Sequence, residues 1–184
     1  MRAFGRPEGF LGRLGGQIMA RINYDCAVWV VGLLDIEAGD KVLEVGFGPG
    51  LAIELLASEE RHAAFVAGVD ISSVMVEQAS KRNAGSIVAG RVALRDGAAD
   101  HLPFGDATFD KALAVNSMQI WPDPVAGLCE IRRVLKPGGR IALGFTPYSG
   151  QENRGLPELL AAAGFAEAQI VERAPDFCAL ARKP

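Results

Sequence analysis

The sequence predicts an α/β fold: a mostly parallel, seven-stranded sheet with helices on both faces and an N-terminal helical cap. Three observations support this prediction. From position 41 onward, short β-branched runs alternate with amphipathic stretches, which is the pattern of βαβ units. The first of these runs opens directly into a glycine-rich turn. The length of 184 residues suits a single domain, residues 1–184, which divides into a cap at 1–36 and a core at 37–184.

The first segment has the periodicity of a helix. Apolar residues recur three or four positions apart at Leu11, Leu14, Ile18 and Ile22. The charged residues of this segment are mostly basic, with Arg2, Arg6, Arg13 and Arg21 against Glu8. Four positive charges against one negative charge give a net of +3, which is typical of a solvated face or of a surface that meets an anionic substrate. Peripheral contact with anionic lipid is the less favoured alternative.

Seven short segments are predicted to be strands. They are 41–45, 65–69, 86–94, 109–115, 140–145, 168–172 and 177–181. The last two are joined at Pro175-Asp176, which suits a short hairpin. Helices are predicted from near Leu51, from near Ser72, and from about Pro157 to Ala163-Gly164.

One further helix has clear signals at both ends. Asp123 can cap the free amides of its first turn, and Pro124 has the backbone angle that suits the first helical position. The helix is predicted to stop at Lys136-Pro137-Gly138-Gly139, where the chain turns into the fifth strand. Its apolar stripe consists of Leu128, Ile131 and Leu135.

Composition and charge exclude several classes of protein. The formal charge of −3 does not favour a polyanionic partner, so nucleic acid is not expected. Cys26, Cys129 and Cys178 are odd in number and widely spaced, which fits neither a disulfide framework nor a zinc site. We therefore expect a reducing, cytoplasmic compartment. The longest apolar run, 27–34, is too short to cross a bilayer, and the N-terminus carries no apolar signal core, so integral membrane association is not expected.

The strongest pattern is residues 42–50, which read VLEVGFGPG. Glycines permit positive φ and let the backbone approach a ligand closely, and the following helix offers free amides. Three alternate glycines are more than a tight turn needs, so ligand binding is favoured over a simple turn. Glu44 supports this interpretation because a carboxylate at the end of a buried strand is costly unless a cation pairs with it.

Asp70 ends the second strand, 20 residues after Gly50, where a carboxylate can accept hydrogen bonds from both hydroxyls of a ribose. The alternative is that Asp70 caps the helix beginning near Ser72. Together, Glu44 and Asp70 indicate a nucleoside cofactor. A dinucleotide loop would need a glycine at position 51, where this chain has Leu51, so an NAD-linked oxidoreductase fits poorly.

Four motifs then follow one another in order. They are Glu44-x-Gly46-x-Gly48-x-Gly50, Val69-Asp70-Ile71-Ser72, LPFGDATFD at 102–110 and EIRRVLKPGG at 130–139. In these residues the chain resembles the class I S-adenosylmethionine-dependent methyltransferases, in particular the small bacterial type-11 methyltransferase domains related to quinone-biosynthesis enzymes. The resemblance covers about 41–145. It implies a Rossmann-like fold with the last strand reversed, S-adenosylmethionine as cofactor, S-adenosylhomocysteine as product and methyl transfer to a small or medium organic acceptor.

The resemblance also implies roles for individual residues. The methionine part of the cofactor would lie along Gly46, Phe47, Gly48 and Gly50, with Glu44 facing its ammonium through water or backbone. Asp70 would bind ribose, Ile71 and Met75 would flank adenine, and Asn116 would complete the cofactor set. Where the family often has Gly-Asp-Ala, this chain has Gly97-Ala98-Ala99. Recognition of the adenine amino group would then fall to Asp96, Asp100 or the backbone of Ala98 and Ala99.

The acceptor side is predicted at 116–121, NSMQIW, because ligands of open α/β sheets bind at the carboxyl ends of the strands. This segment lacks the Asn-Pro-Pro-Tyr and Pro-Cys sequences of several other methyltransferase classes, and no carboxylate set suggests a metal. The candidate substrate contacts are Asn23, Tyr24, Gln119 and Trp121, and the candidate catalytic residues are His101, Gln119 and Tyr24.

Three of these candidates have a simpler alternative role. Tyr24 can pack with Trp29 against the sheet, Trp121 can be a packing residue, and His101 can be solvated. His62 is expected on the surface. Since displacement at a sulfonium needs mainly alignment and desolvation, the lack of an obvious base is compatible with methyl transfer. A non-catalytic, cofactor-binding regulatory subunit is the second hypothesis. The sequence says nothing about oligomeric state.

Overall fold

The computed structural model describes residues 23–58 and 63–184. Seven strands form one sheet: β1 (Lys41–Val45), β2 (Phe65–Asp70), β3 (Val92–Asp96), β4 (Phe109–Val115), β5 (Leu135–Phe145), β6 (Ala166–Arg173) and β7 (Asp176–Arg182). Their order is β3-β2-β1-β4-β5-β7-β6, and every pairing is parallel except those that β7 makes with β5 and β6. The predicted mostly parallel, seven-stranded sheet with a reversed last strand is confirmed. The order in which the strands are added reverses direction between β1 and β4. Open α/β sheets bind their ligands at such a point.

Six α-helices are present in the described part of the chain. They are α1 (Tyr24–Leu33), α2 (Leu51–Leu56), α3 (Ser73–Arg82), α4 (Ala84–Val88), α5 (Pro124–Val134) and α6 (Leu156–Ala162). Apolar residues of α1, α2 and α3 pack on one face of the sheet, and those of α5 and α6 pack on the other. Strand β1 shows the alternation that this requires, since Val42 faces the first group of helices and Leu43 the second. Helices therefore cover both faces, as predicted.

The first helix is fixed by a close approach to the sheet. Val30 of α1 packs directly against Gly144 of β5, and a Cβ atom at position 144 would collide with its side chain. Cys26 and Ala27 lie in the same buried surface. Only this part of the predicted cap is within the described residues. The remaining apolar and charged positions of the cap, and His62, lie outside them: Arg2, Arg6, Glu8, Leu11, Arg13, Leu14, Ile18, Arg21 and Ile22.

Two strand predictions were wrong in their boundaries. The segment 86–94 is not one strand, because α4 continues to Val88, Gly90 turns the chain at φ +71°, and β3 begins only at Val92. The β-branched residues Ile87 and Val88 belong to this helix, and Ile87 packs against the core. The fifth strand begins at Leu135 instead of Arg140.

Leu135 was predicted to continue the apolar stripe of α5, and the structure corrects this too. The helix ends at Val134, and Leu135 pairs with Phe109 of β4 as the first residue of β5. The next pairing joins Lys111 to Arg140, so the Pro-Gly-Gly segment bulges out of the strand instead of ending a helix. The other end of α5 agrees with the prediction, since Asp123 Oδ1 accepts a 3.0 Å hydrogen bond from the Ala126 N–H.

No helix within residues 23–58 and 63–184 is long and apolar enough to cross a membrane. All three cysteines are unpaired; Cys26 and Cys178 are buried and Cys129 is exposed.

Candidate functional site

The glycines after β1 all adopt positive φ, but they do so for different reasons. Gly46 has φ +76°, Gly48 +53° and Gly50 +80°. A Cβ atom on Gly46 would lie 2.6 Å from Ser117 Oγ, and one on Gly50 would lie 2.5 Å from Ala79 Cβ, so both glycines are required by packing. A Cβ atom on Gly48 would meet nothing within 4 Å. The backbone at Gly48 is therefore open, as a loop that receives a ligand requires.

Asp70 ties this loop to the end of β2. Its Oδ2 accepts a 2.8 Å hydrogen bond from the Gly48 N–H, and its Oδ1 accepts a 2.9 Å bond from the Ser72 N–H. The cap of α3 is Ser72, whose Oγ accepts from the Met75 N–H, so Asp70 is not the cap. Each carboxylate oxygen has a second lone pair that can still accept from a ligand hydroxyl. Burial raises the pKa of Asp70, the two N–H donors lower it, and the charge of Asp96 raises it.

Glu44 is the most unusual group of the site. Only 3% of the residue is exposed, and the backbone donor near its carboxyl group is the N–H of Ile53 in α2. Its Oε2 has no hydrogen-bond partner within the described residues. Burial raises the pKa of Glu44 well above its ordinary value, and the nearby charge of Asp70 raises it further. A buried carboxyl oxygen without a partner, beside an open glycine loop, fits the predicted requirement for a cationic ligand.

The predicted adenine residues gather at the ends of β2 and β3. Asp96 pairs in register with Asp70, and the Gly97 N–H donates a 3.0 Å hydrogen bond to the Asp70 carbonyl. Ile71 is 44% exposed, whereas Met75 is buried. Ala98 and Ala99 are half-buried, and Asp96 and Asp100 are exposed. Ile71 and Asp96 therefore both lie next to Asp70 at the carboxyl ends of β2 and β3.

On the acceptor side, Asn116 joins three elements at the carboxyl edge of the sheet. Its Nδ2 donates to Asn23 Oδ1 at 2.8 Å and to Thr146 Oγ1 at 3.0 Å, and its Oδ1 accepts from the Thr146 N–H at 2.8 Å. Asn116 itself has φ +49°, a left-handed conformation that asparagine tolerates better than most residues. Both N–H groups of its side chain are used, so the start of α1 is held to the ends of β4 and β5.

Gln119 extends this network and leaves one group without a partner. Its Nε2 donates a 2.8 Å hydrogen bond to the Asn116 carbonyl, which fixes the orientation of the amide. Its Oε1 is buried and has no partner among the described residues. A hydrogen-bond acceptor in a fixed orientation at this edge of the sheet is suited to an O–H or N–H of a ligand.

The structure does not bring the other acceptor-side candidates together in the same way. Trp121 is half-buried and packs over Gly127, where a Cβ atom would lie 2.7 Å from its ring, so its packing role is the better supported. His101 is exposed and lies near Glu130 of α5, whose pKa is lowered mainly by its hydrogen bond with Arg133. Tyr24 is 45% exposed, and the Arg173 guanidinium lies 4.8 Å from the ring centre of Trp29.

Two open cavities flank the hairpin between β6 and β7, which reaches the same edge of the sheet. One, of about 570 Å³, is lined by Tyr24, Asp25, Arg173 and Pro175 among others. The other, of about 660 Å³, is lined by Glu152, Asn153, Arg154, Glu172 and Phe177 among others. Within the described residues, no group of three or more His, Cys, Asp or Glu side chains is placed to hold a metal ion.

Sequence reasoning missed several supporting residues. Ser117 donates a 2.7 Å hydrogen bond to the Val45 carbonyl and fills the space above Gly46. Thr146 belongs to the Asn116 network, and its position directly after β5 was the available indication. Arg133 and Glu130 were quoted in a motif without a role; Arg133 donates to Glu130 and to the carbonyls of Leu102 and Phe104, which fixes the loop after β3.

Comparison with known proteins agrees with this geometry. A family model described as a methyltransferase domain matches residues 43–143. The uncharacterized methyltransferase YdaC of Bacillus subtilis (strain 168) is 31% identical over 183 residues, which cover 93% of this chain and 98% of YdaC. The 27-O-demethylrifamycin SV methyltransferase of Amycolatopsis mediterranei (strain S699) is 37% identical over 116 residues, covering 62% of this chain and 42% of that enzyme.

Solved structures show the same architecture. A SAM-dependent methyltransferase from Aquifex aeolicus superposes with a TM-score of 0.79 over 92% of this chain and 98% of that chain, at 19% identity. At this identity the match establishes a shared fold. Together with the family model and the near full-length relative, it shows that the chain belongs to the class I S-adenosylmethionine-dependent methyltransferases.

Proposed function

We propose that the protein transfers the methyl group of S-adenosylmethionine to a small or medium organic acceptor. The observation that carries this proposal is the open backbone at Gly48, flanked by the buried carboxyl groups of Glu44 and Asp70. The methionine part would lie along Gly46, Phe47, Gly48 and Gly50. Glu44 would face its ammonium, and Asp70 would accept from the ribose hydroxyls with its remaining lone pairs. When bound, the cofactor supplies an activated methyl group on a sulfonium.

The adenine end would lie between Ile71 and the loop after β3, with buried Met75 supporting the pocket from α3. The register that places Asp96 beside Asp70 favours Asp96 and the backbone of Ala98 over Asp100 for recognition of the adenine amino group. Ala98 and Ala99 present backbone groups at a half-buried position, which is compatible with their having replaced a side-chain acceptor.

The acceptor would be held between the start of α1, the segment 116–121 and the hairpin of β6 and β7. The lone acceptor oxygen of Gln119 would receive a hydrogen bond from its O–H or N–H, and Asn23 and Tyr24 would border it. Methyl transfer from a sulfonium needs a desolvated nucleophile in line with the methyl group, so orientation by Gln119 would be this chain's main contribution.

The charges around the two cavities favour a neutral or cationic acceptor over a polyanion. The carboxylates of Asp25, Glu152 and Glu172 line them. Two arginines, Arg154 and Arg173, also line them, and Arg173 is already bonded to Asp176 at 2.8 Å. The relative named 27-O-demethylrifamycin SV methyltransferase makes a hydroxyl group the first acceptor class to test. The chain spans less than half of that enzyme, so its natural acceptor can differ in size.

Calorimetric titration with S-adenosylmethionine, S-adenosylhomocysteine and NAD tests the proposal. We expect micromolar binding of both sulfur compounds, no binding of NAD, and loss of binding in Asp70→Ala and Glu44→Ala. Acceptors are then screened by transfer of labelled methyl groups, beginning with hydroxylated macrocycles and phenols. If the wild-type protein binds neither sulfur compound, the proposed function is wrong. If NAD binds instead of the sulfur compounds, an NAD-linked oxidoreductase becomes the favoured hypothesis.

A further inference from the structure

Two buried carboxyl groups lie near each other in the candidate cofactor site, and they differ in the backbone N–H donors available to them. Glu44 is on β1 and Asp70 on β2, in strands paired through Val45 and Val69. Asp70 receives two backbone N–H groups, one on each oxygen. The backbone donor near Glu44 is the Ile53 N–H, and Oε2 of Glu44 has no partner within the described residues.

This inequality decides which carboxyl group holds a proton when no ligand is bound. Burying an ionised carboxylate without a full set of partners costs several kcal/mol, and a second carboxylate nearby adds to the cost. Hydrogen bonds donated to a carboxylate favour its ionised form, so the carboxyl group with fewer donors is the one that keeps the proton. Burial, followed by the charge of Asp70, raises the pKa of Glu44 well above its ordinary value. In the ligand-free site, Glu44 is therefore the neutral member of the pair.

The other titratable groups on the elements packed against β1 do not change this conclusion. Glu54 of α2 is bonded to Arg82, and Lys111 of β4 pairs with Asp40. Burial raises the pKa of the Cys26 thiol to about 12, so it is uncharged at neutral pH. The remaining acidic groups are exposed or paired elsewhere: Asp25, Asp96 and Asp110.

We propose that Glu44 releases its proton when the ammonium of the cofactor binds, so that the site exchanges a proton for the positive charge of its ligand. This inference rests on the proposed cofactor. The O–H bond of the Glu44 carboxyl group breaks, the proton passes to the solvent, and the resulting carboxylate is stabilised by the ammonium directly or through one water. No other bond changes. The site therefore selects its ligand by the charged amino-acid part and not only by the nucleoside.

The proton is counted by calorimetry. S-Adenosylhomocysteine is titrated into the full-length protein at about pH 6, where an ordinary glutamate is ionised and an α-amino group remains protonated. The titration is repeated in three buffers that differ in enthalpy of ionisation. The slope of the observed enthalpy against the buffer enthalpy gives the protons released, and we expect about one per ligand. 5′-Methylthioadenosine, which has the same nucleoside and no amino-acid part, is expected to release none.

Two variants test whether the released proton comes from Glu44. Glu44→Gln keeps the shape of the neutral acid and is expected to release none, whereas the matched control Glu54→Gln, at an exposed glutamate of the neighbouring helix, is expected to behave as the wild type. Binding of S-adenosylhomocysteine without proton release in the wild type overturns the inference and leaves the proposed function standing. Equal release from Glu44→Gln, or from 5′-methylthioadenosine, also overturns it. If neither sulfur cofactor binds the wild type, the proposed function itself fails. The comparison of two ligands on the wild type does not depend on how any variant folds.

Discussion

The backbone N–H of Gly48 donates a 2.8 Å hydrogen bond to Oδ2 of Asp70, and this bond joins the loop after β1 to the end of β2. The loop is thus held in its open conformation by the same carboxylate that is proposed to bind ribose. Because the other oxygen of Asp70 holds the turn into α3, one side chain sets the relative position of two walls of the candidate cofactor site.

Gly48→Ala is expected to weaken S-adenosylmethionine binding by at least about tenfold, since the added methyl group enters the space in front of the loop. The matched control is Gly90→Ala, which also places a Cβ atom in open space at positive φ, but between α4 and β3. Calorimetry measures affinity and thermal unfolding measures stability. Both variants should lose similar stability, and an equal loss of affinity in the two would contradict the proposed site.

Asp70→Asn is expected to destabilise the protein by about 1–3 kcal/mol and to abolish cofactor binding. An amide presents N–H on one side, so one of the N–H groups of Gly48 and Ser72 loses its acceptor. Ser72→Ala removes the helix cap and is expected to cost about 1 kcal/mol with little effect on affinity. Urea denaturation and calorimetry separate the two outcomes. Near-normal affinity in Asp70→Asn would remove Asp70 from the ribose site.

Glu44→Gln is expected to stabilise the ligand-free protein at pH 8. The pKa of Glu44 is raised on folding, so the folded state keeps a proton above its ordinary value of 4.5, where the unfolded state has lost it. Stability therefore falls as pH rises from about 4.5 toward the folded pKa, and the glutamine variant lacks this decline. Each kcal/mol gained corresponds to about 2–4 °C in Tm for a chain of this size. Tm is measured from pH 5 to 8, with Glu54→Gln as control. An equal pH dependence in wild type and Glu44→Gln would be incompatible with a neutral Glu44.

Arg133→Lys is expected to cost about 1–3 kcal/mol of stability and to loosen the loop after β3. All five N–H groups of this guanidinium are used, on Glu130, on Asp106 and on the carbonyls of Leu102 and Phe104. An ammonium group cannot reproduce this arrangement. The control is Arg132→Lys, which loses a single 2.9 Å bond to the Gly164 carbonyl. Urea denaturation of both variants tests the prediction, and similar losses would show that the five-bond arrangement contributes nothing beyond one bond.

Asn23→Ala is expected to lower turnover by about tenfold while cofactor affinity stays within about twofold, because it releases the start of α1 from Asn116. Gly32→Ala changes an exposed residue farther along the same helix that lines neither cavity, and it serves as the control. Turnover is measured with an acceptor found in the labelled-methyl screen, and affinity by calorimetry. Deletion of residues 1–24 should have the same pattern in stronger form. A parallel loss of cofactor affinity would show that α1 supports the cofactor rather than the acceptor.

Much of the architecture was predictable, because in most elements the local sequence pattern and the long-range packing favour the same secondary structure. The strands at 41–45 and 109–115 are apolar runs in a buried parallel sheet, and the structure has them at the predicted bounds. The errors at 86–94 and at Leu135 occurred where the same apolar residues can be buried in either a helix or a strand, so burial alone could not decide between them. Leu135 is a strand residue because it pairs with Phe109, and the sequence around Leu135 does not show this pairing.

The candidate site was predictable to the extent that it rests on glycine spacing and on acids at strand ends. That Gly46 and Gly50 serve packing while Gly48 alone faces open space could not be predicted, because it depends on Ser117 and Ala79, distant in sequence. The partners of Asn116 were hidden for the same reason, since Asn23 is 93 positions away. Functional residues at the end of one strand can be identified from the sequence, whereas contacts between residues at the ends of different strands cannot.

The reversal of β7 has a consequence for how such a protein can diversify. Because β7 runs against β5, the turn between β6 and β7 comes to the same edge of the sheet as the ends of β4 and β5. The proposed cofactor contacts come mainly from β1, β2 and β3, on one side of the point where strand order reverses, and the proposed acceptor contacts come from the other side. Substitutions in a short terminal hairpin can therefore reshape acceptor preference during evolution while the inherited methyl-donor half is left unaltered.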